Sequence, residues 1–218
     1  MQNLVRIAHK IADDYGHEKE ADEIIEAVHE LRGRSLHGSV PESSVMSGLS
    51  NLLKDNQIDF AVIGAVALII HGVIRNTDDI DVLVSELPPS DKLSDPRYME
   101  KFAFYKAKSS TGTVLTIDHR KNGQVELLTA TDPLKQLALS TAEEHMVLGH
   151  KVPVVSAAAL IGLKVQALVN NPSREAKDAP DILSIWLKSK PDLSEVRKFL
   201  SETENEALDK IVKDKKDS

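Results

Sequence analysis

The sequence predicts an α+β fold: a small mixed β-sheet flanked by helices, with an N-terminal helical arm before it and a C-terminal helical region after it. Three observations predict it. An apolar run over 60–70 contains Gly64 and leads, through a short segment, to a second apolar run opened by Asp79-Ile80-Asp81. Asn122-Gly123 divides two strand-like runs, a strong hairpin signal. From Asp132 onward the chain turns mostly helical.

The elements follow in order. Leu4, Ile7, Ala8 and Ile11 fall at helical spacing, as do Ile24, Val28 and Leu31, so 3–14 and 18–32 read as two helices. Residues 33–44 are a loop rich in breakers. A helix around 44–55 leads to a strand at 59–63, a helical segment at 65–72 and a second strand at 80–85. Residues 87–96 are a Pro/Ser/Asp loop, and 97–108 read as a short helix. The hairpin strands are 113–118 and 124–129. An extended segment at 151–155 interrupts the helical region, which resumes at 157–169 and 179–188. Asp192 with Glu195, and Ser201 with Glu204, have capping-box spacing and open the last two helices. The boundaries are 1–42 for the arm, 43–131 for the α/β core and 132–218 for the helical region.

Composition narrows the function classes. The 218 residues suffice for one sizeable core or two modest lobes, and 41% are hydrophobic, as in ordinary globular proteins. With no cysteine, disulfides, thiolate zinc sites and cysteine nucleophiles are excluded. A net charge of −7 argues against a protein built mainly to coat nucleic acid, although Lys164, Arg174, Lys177, Lys188 and Lys190 share one stretch and suit a local basic groove or a solvated surface. The first residues lack the apolar core of a signal peptide, and 60–70 is shorter than the ~20 residues that span a bilayer, so a cytoplasmic protein without a membrane partner is expected. The eight histidines show no HExxH spacing, and there is no Gly-x-Ser-x-Gly, Walker A or Gly-x-Gly-x-x-Gly pattern. Aromatic content of 4% offers no evident base-stacking platform.

The chemistry concentrates at 63–82. Alternate residues of a strand share a face, so Asp79 and Asp81 present two carboxylates side by side. Their repulsion is relieved by a divalent cation of the magnesium or manganese type, which prefers oxygen ligands. Gly64 stands at a helix start, where free N–H groups suit a phosphate, or simply at a turn that needs a permissive backbone. Asp78 points away from the pair and reads as a turn or capping residue. Glu126 is a conspicuous carboxylate on the apolar strand Val125-Glu126-Leu127-Leu128. Arg75 is placed to pair with the site, to hold a phosphate oxygen, or to pair with Asp78; Thr77 is placed to cap or hydrogen-bond locally. Lys164 stands in an otherwise apolar helix and faces either a cleft or solvent. His71 reads as a packing residue near a helix end, and Asp178 with Asp181 as a pair that ties down Arg174 or Lys177.

The segment from Gly64 to Asp81 resembles the signature of the nucleotidyltransferase superfamily with the polymerase-β-like fold, which is Gly-Gly or Gly-Ser, a spacer, then Asp-apolar-Asp. Together with His71-Gly72, Arg75 and Thr77 it is similar to the AbiEii/toxin-type and related bacterial branches. Val125–Leu128 resembles the strand of the third carboxylate, and Leu160–Lys164 with Arg174, Lys177-Asp178 and Asp181 resembles the helical region of those proteins. The resemblance runs over roughly residues 50 to 187. It implies an NTP-using enzyme in which Asp79, Asp81 and Glu126 hold magnesium, while Gly64, Ala65, Arg75, Thr77 and Lys164 bind the nucleotide. It implies transfer of an NMP to an RNA, protein or small-molecule hydroxyl, in a setting related to toxin–antitoxin systems. Two positions depart from the pattern. Ala65 replaces the second Gly or Ser, and Glu126 stands where Asp is commoner. The alternative is therefore a degenerate member that binds nucleotide or a protein partner.

Overall fold

The computed structural model describes residues 42–75, 77, 79–93, 104–110, 114–119, 123–147 and 149–213. The helical arm expected over 1–42 and the tail beyond 213 lie outside the described residues, save Glu42.

Helix α1 (Glu42–Asp55) buries Met46, Leu49, Leu52 and Leu53, an apolar stripe at helical spacing. Strand β1 (Phe60–Val62) is buried at every residue. Helix α2 (Gly64–Ile70) follows at once and buries Val66, Ala67, Leu68 and Ile69. A Schellman turn ends it. Gly72 takes φ +78°, its N–H donates to the Ile69 carbonyl at 2.8 Å, and the Val73 N–H donates to the Leu68 carbonyl at 2.9 Å. Strand β2 (Asp79–Val84) begins half-buried and ends buried, so its acidic end meets solvent while its apolar end enters the core.

A one-turn helix α3 (Ser90–Leu93) lies in the expected loop. Strands β3 (Phe104–Ser110), β4 (Val114–His119) and β5 (Gly123–Thr129) form an antiparallel meander. The hairpin predicted from Asn122-Gly123 is present, with His119 opposite Gly123. The short helix expected over 97–108 is corrected: its described part, 104–108, is strand. Lys and Ala in this segment favour helix on their own, and pairing with β4 overrides that preference.

Helix α4 (Pro133–Ser140) is capped by Asp132, whose side chain accepts from the Lys135 N–H at 3.0 Å. A second hairpin, β6 (Glu143–Val147) and β7 (His150–Val154), follows. Only the second of these strands is foreshadowed in the sequence. The other is an edge strand with mostly exposed side chains, so it shows no apolar alternation. The sheet of the described residues has the order β3-β4-β5-β2-β1-β7-β6. Strand β2 runs antiparallel to β1 and parallel to β5, while β7 runs parallel to β1. The sheet thus crosses the boundary expected at 131, and residues 132–218 supply two strands as well as helices.

Helix α5 (Ala157–Asn170) starts at the Ser156 cap. Its Gly162 accepts close packing: an added Cβ would stand 2.6 Å from Val196 Cγ1 and 3.2 Å from Leu134 Cδ1. Helix α6 (Glu175–Ser189) begins earlier than expected because Pro180 is accommodated inside it, rather than at its first turn. The short α7 (Ser194–Arg197) and α8 (Glu202–Lys213) complete the described chain. The Ser201/Glu204 capping box forms with both bonds. The Asp192/Glu195 box does not: Asp192 bonds Ser194 in a local turn, and Glu195 pairs with Lys198. Among the described residues no helix is long and apolar enough to cross a membrane.

Candidate active site

Asp79 and Asp81 stand at the start of β2, with Gln124 and Glu126 directly beside them on the parallel strand β5. Asp81 and Glu126 are in register and share a face with Asp79. The sheet therefore brings the three predicted carboxylates to one edge. Both aspartates are half-buried, and Glu126 is exposed.

Gly64 closes this edge from the other side. The Ile63 N–H donates to the Asp81 carbonyl at 2.9 Å, fixing the β1–α2 turn against β2. Gly64 has φ +66°, and a Cβ there would lie 1.9 Å from Asp81 Oδ2 and 2.7 Å from its Cγ. The Asp81 carboxylate thus rests on bare backbone. Burial raises its pKa to about 6, with the Glu126 and then the Asp79 charge adding to the effect and Lys177 and Lys164 opposing it. Among the described residues no group of three or more His, Asp or Glu side chains is gathered tightly enough to hold a metal ion together.

The remaining predicted residues take distinct places. Ala65, half-buried, is the second residue of α2. The Thr77 hydroxyl donates to the Asp79 carbonyl at 2.9 Å and accepts from the Asp79 N–H at 3.1 Å, a local turn that sets up the start of β2. Asp78, the alternative partner considered for Arg75, lies outside the described residues. Arg75 pairs with Asp181 on α6, across the fold.

Lys164 is 7% exposed and lies between two carboxylates, Asp178 Oδ1 at 2.9 Å and Asp181 Oδ2 at 2.8 Å. Arg174 Nε donates to Asp178 Oδ2 at 2.7 Å. Burial pushes the Asp178 carboxyl up, but the hydrogen bonds from Arg174 and Lys164 outweigh it and hold the group below its usual range. Asp178 and Asp181 do tie down Arg174, as the sequence suggests, and they also tie down Lys164 and Arg75. Spacing alone shows none of these latter bonds: Arg75 lies 106 residues from Asp181, and Lys164 meets its partners only when the consecutive helices α5 and α6 dock.

His71 packs at the end of α2, with Nε2 2.8 Å from the Val155 carbonyl. A carbonyl only accepts, so Nε2 carries the proton. Burial lowers the pKa of this ring, and His145 stands edge-on to it at 6.3 Å.

No protein-family model and no curated protein matches the sequence; the likeness appears in three dimensions. The structure is similar to an antigenic nucleotidyltransferase-like protein from Paracoccidioides brasiliensis, with TM-score 0.57 and 21% identity over 81% of this chain and 89% of that one. It is similar to the antibiotic-resistance factor ANT(2'')-Ia in solution, with TM-score 0.50 and 11% identity over 81% of this chain and 91% of that one. The crystal structure of ANT(2'')-Ia in complex with adenylyl-2''-tobramycin gives TM-score 0.50 and 12% identity over 78% of this chain and 99% of that one. The fold is nucleotidyltransferase-like.

Proposed function

We propose that this chain is a magnesium- or manganese-dependent nucleotidyltransferase that moves an NMP from an NTP to an acceptor hydroxyl. The observation that carries this reading is the Asp81 carboxylate, laid against Gly64 and in register with Glu126.

The donor set fits a hard divalent cation. It is all oxygen, it repels itself, and the Glu126 and Asp79 charges add to the rise that burial gives the Asp81 pKa. Asp79, Asp81 and Glu126 would hold the cation. When bound, it supplies charge neutralisation for the triphosphate and lowers the pKa of an attacking hydroxyl. The chain's own residues do the rest. Gly64 and Ala65 open α2, where N–H groups lack partners within the helix and suit a phosphate oxygen. Thr77 fixes the backbone of Asp79, and Arg75 holds the loop before it against α6. The acceptor hydroxyl gives its proton to water, its oxygen attacks the α-phosphorus, the bond to the β,γ-diphosphate breaks, and pyrophosphate leaves with the electron pair.

The acceptor is an RNA, protein or small-molecule hydroxyl in the cytoplasm. The motif resemblance favours the first two and a toxin–antitoxin setting, while the adenylyl-tobramycin bound to ANT(2'')-Ia makes the third worth testing. A second reading, a protein that binds nucleotide or a partner without turnover, draws on Ala65 and on the ungathered carboxylates.

The test is incubation with magnesium, each α-labelled NTP and a cell extract, beside Asp79→Ala/Asp81→Ala. A labelled band or small molecule that vanishes in the variant supports transfer and identifies the acceptor class. Magnesium-dependent NTP binding without label supports the second reading, and neither label nor NTP binding overturns the enzyme reading and leaves a fold kept for binding a partner.

A further inference from the structure

The predicted phosphate-binding lysine, Lys164, is already committed. Both its ion pairs are buried, and withdrawing it would break a bond to each of the two buried carboxylates, Asp178 and Asp181. Arg75 and Arg174 share the same two carboxylates, so three cations meet two anions and the cluster keeps one positive charge in excess.

One further cation stands on this wall. Lys177 lies on the first turn of α6, next to the fully buried Asp178, yet its own side chain is exposed. Its carbonyl is 3.5 Å from Arg75 Nη1, which ties that turn to the loop leading into Asp79. Among the described residues Lys177 makes no ion pair, and it stands one turn before Asp181, the residue that Arg75 bonds. The site therefore has an acidic side, the ends of β2 and β5, and a facing side, the first turn of α6, whose cation is Lys177 beside the acidic Glu175 and Asp178.

We propose that Lys177, and not Lys164, is the side chain that meets the triphosphate, while Lys164 acts as a positioning residue that seats α6 through Asp178 and Asp181. This rests on the nucleotidyl-transfer reading. A triphosphate between the two sides would be bound by charge of both signs: carboxylates through their cation on one, the Lys177 ammonium on the other. Lys177 can turn to the ligand without breaking any buried pair. Lys164 cannot.

The test uses the full chain and magnesium tripolyphosphate, a probe without a base, followed by calorimetry and thermal melts. Lys177→Glu is expected to weaken binding about tenfold or more, the size of one lost charge-assisted hydrogen bond with added repulsion, at an unchanged melting temperature. Lys177→Arg is expected to stay within about threefold of wild type. Lys164→Met is expected to lower the melting temperature, which Lys177→Glu does not. Wild-type binding that Lys177→Glu leaves intact overturns the assignment of Lys177 and leaves the nucleotidyl-transfer reading standing. A wild-type protein that binds neither tripolyphosphate nor any magnesium NTP, and transfers no label, overturns both.

Discussion

Asp81 and Gly64 are fitted to each other: the carboxylate occupies the space where any side chain at position 64 would begin. Gly64→Ala therefore meets two obstacles, the clash at 1.9 Å and a backbone at φ +66° that L-residues rarely adopt. The variant is expected to lose about 1–3 kcal/mol of stability and to lose labelled transfer. Denaturant melts and the transfer assay check both. A Gly64→Ala protein of wild-type stability would show that the turn moves freely, contrary to this packing.

Asp81 makes the fold sensitive to pH in an unusual direction for a carboxylate. Its folded pKa, about 6, lies above the ordinary aspartate value of 3.8, so the folded protein holds a proton that the unfolded chain has lost. Stability from this group is greatest below about pH 4, declines as pH rises towards 6, and stays low above that. The shift corresponds to a penalty of about 3 kcal/mol at neutral pH, in the absence of metal. Asp81→Asn should be more stable than wild type at pH 7.5, should flatten that stretch of the stability curve, and should be inactive. Equal stability of the two proteins across pH 4–8 would remove the burial argument.

Lys164→Met should cost about 3–5 kcal/mol, because it leaves Asp178 and Asp181 buried with one cation fewer. A triple variant that also carries Asp178→Leu and Asp181→Leu should recover part of the loss. Chemical denaturation of the three proteins measures both effects, and a loss below 1 kcal/mol in the single variant would mean that water reaches the cluster.

Ser201→Ala should cost about 1 kcal/mol by removing the cap of α8. The effect should be local, seen as faster amide exchange in the first turn of α8 without a change in nucleotide binding.

The site was legible where its signal is local. Gly64, Asp79 and Asp81 stand close together in sequence, and period-two alternation puts both aspartates on one face. Glu126 was legible because a lone carboxylate on an apolar strand needs a reason. The partner of Lys164 was not legible, since an apolar helix with one lysine reads the same whether that lysine meets solvent, ligand or a buried aspartate. Nor was β6, whose Glu143, Glu144 and Met146 are exposed as on many loops. The segment 104–108 failed differently: its Lys and Ala favour helix, and the neighbouring strand overrides them.

The Arg75–Asp181 bond joins positions 106 residues apart. A chain emerging from the ribosome therefore has all three acidic residues long before the helix that faces them exists. Until Asp181 has been made and docked, the loop before Asp79 lacks its anchor, and β1 lacks the β7 partner reached only at Val154. Contacts of such sequence separation form late in folding. A partly synthesised chain would thus hold its acidic strand ends without the helix that faces them, which arrives only with the last third of the protein.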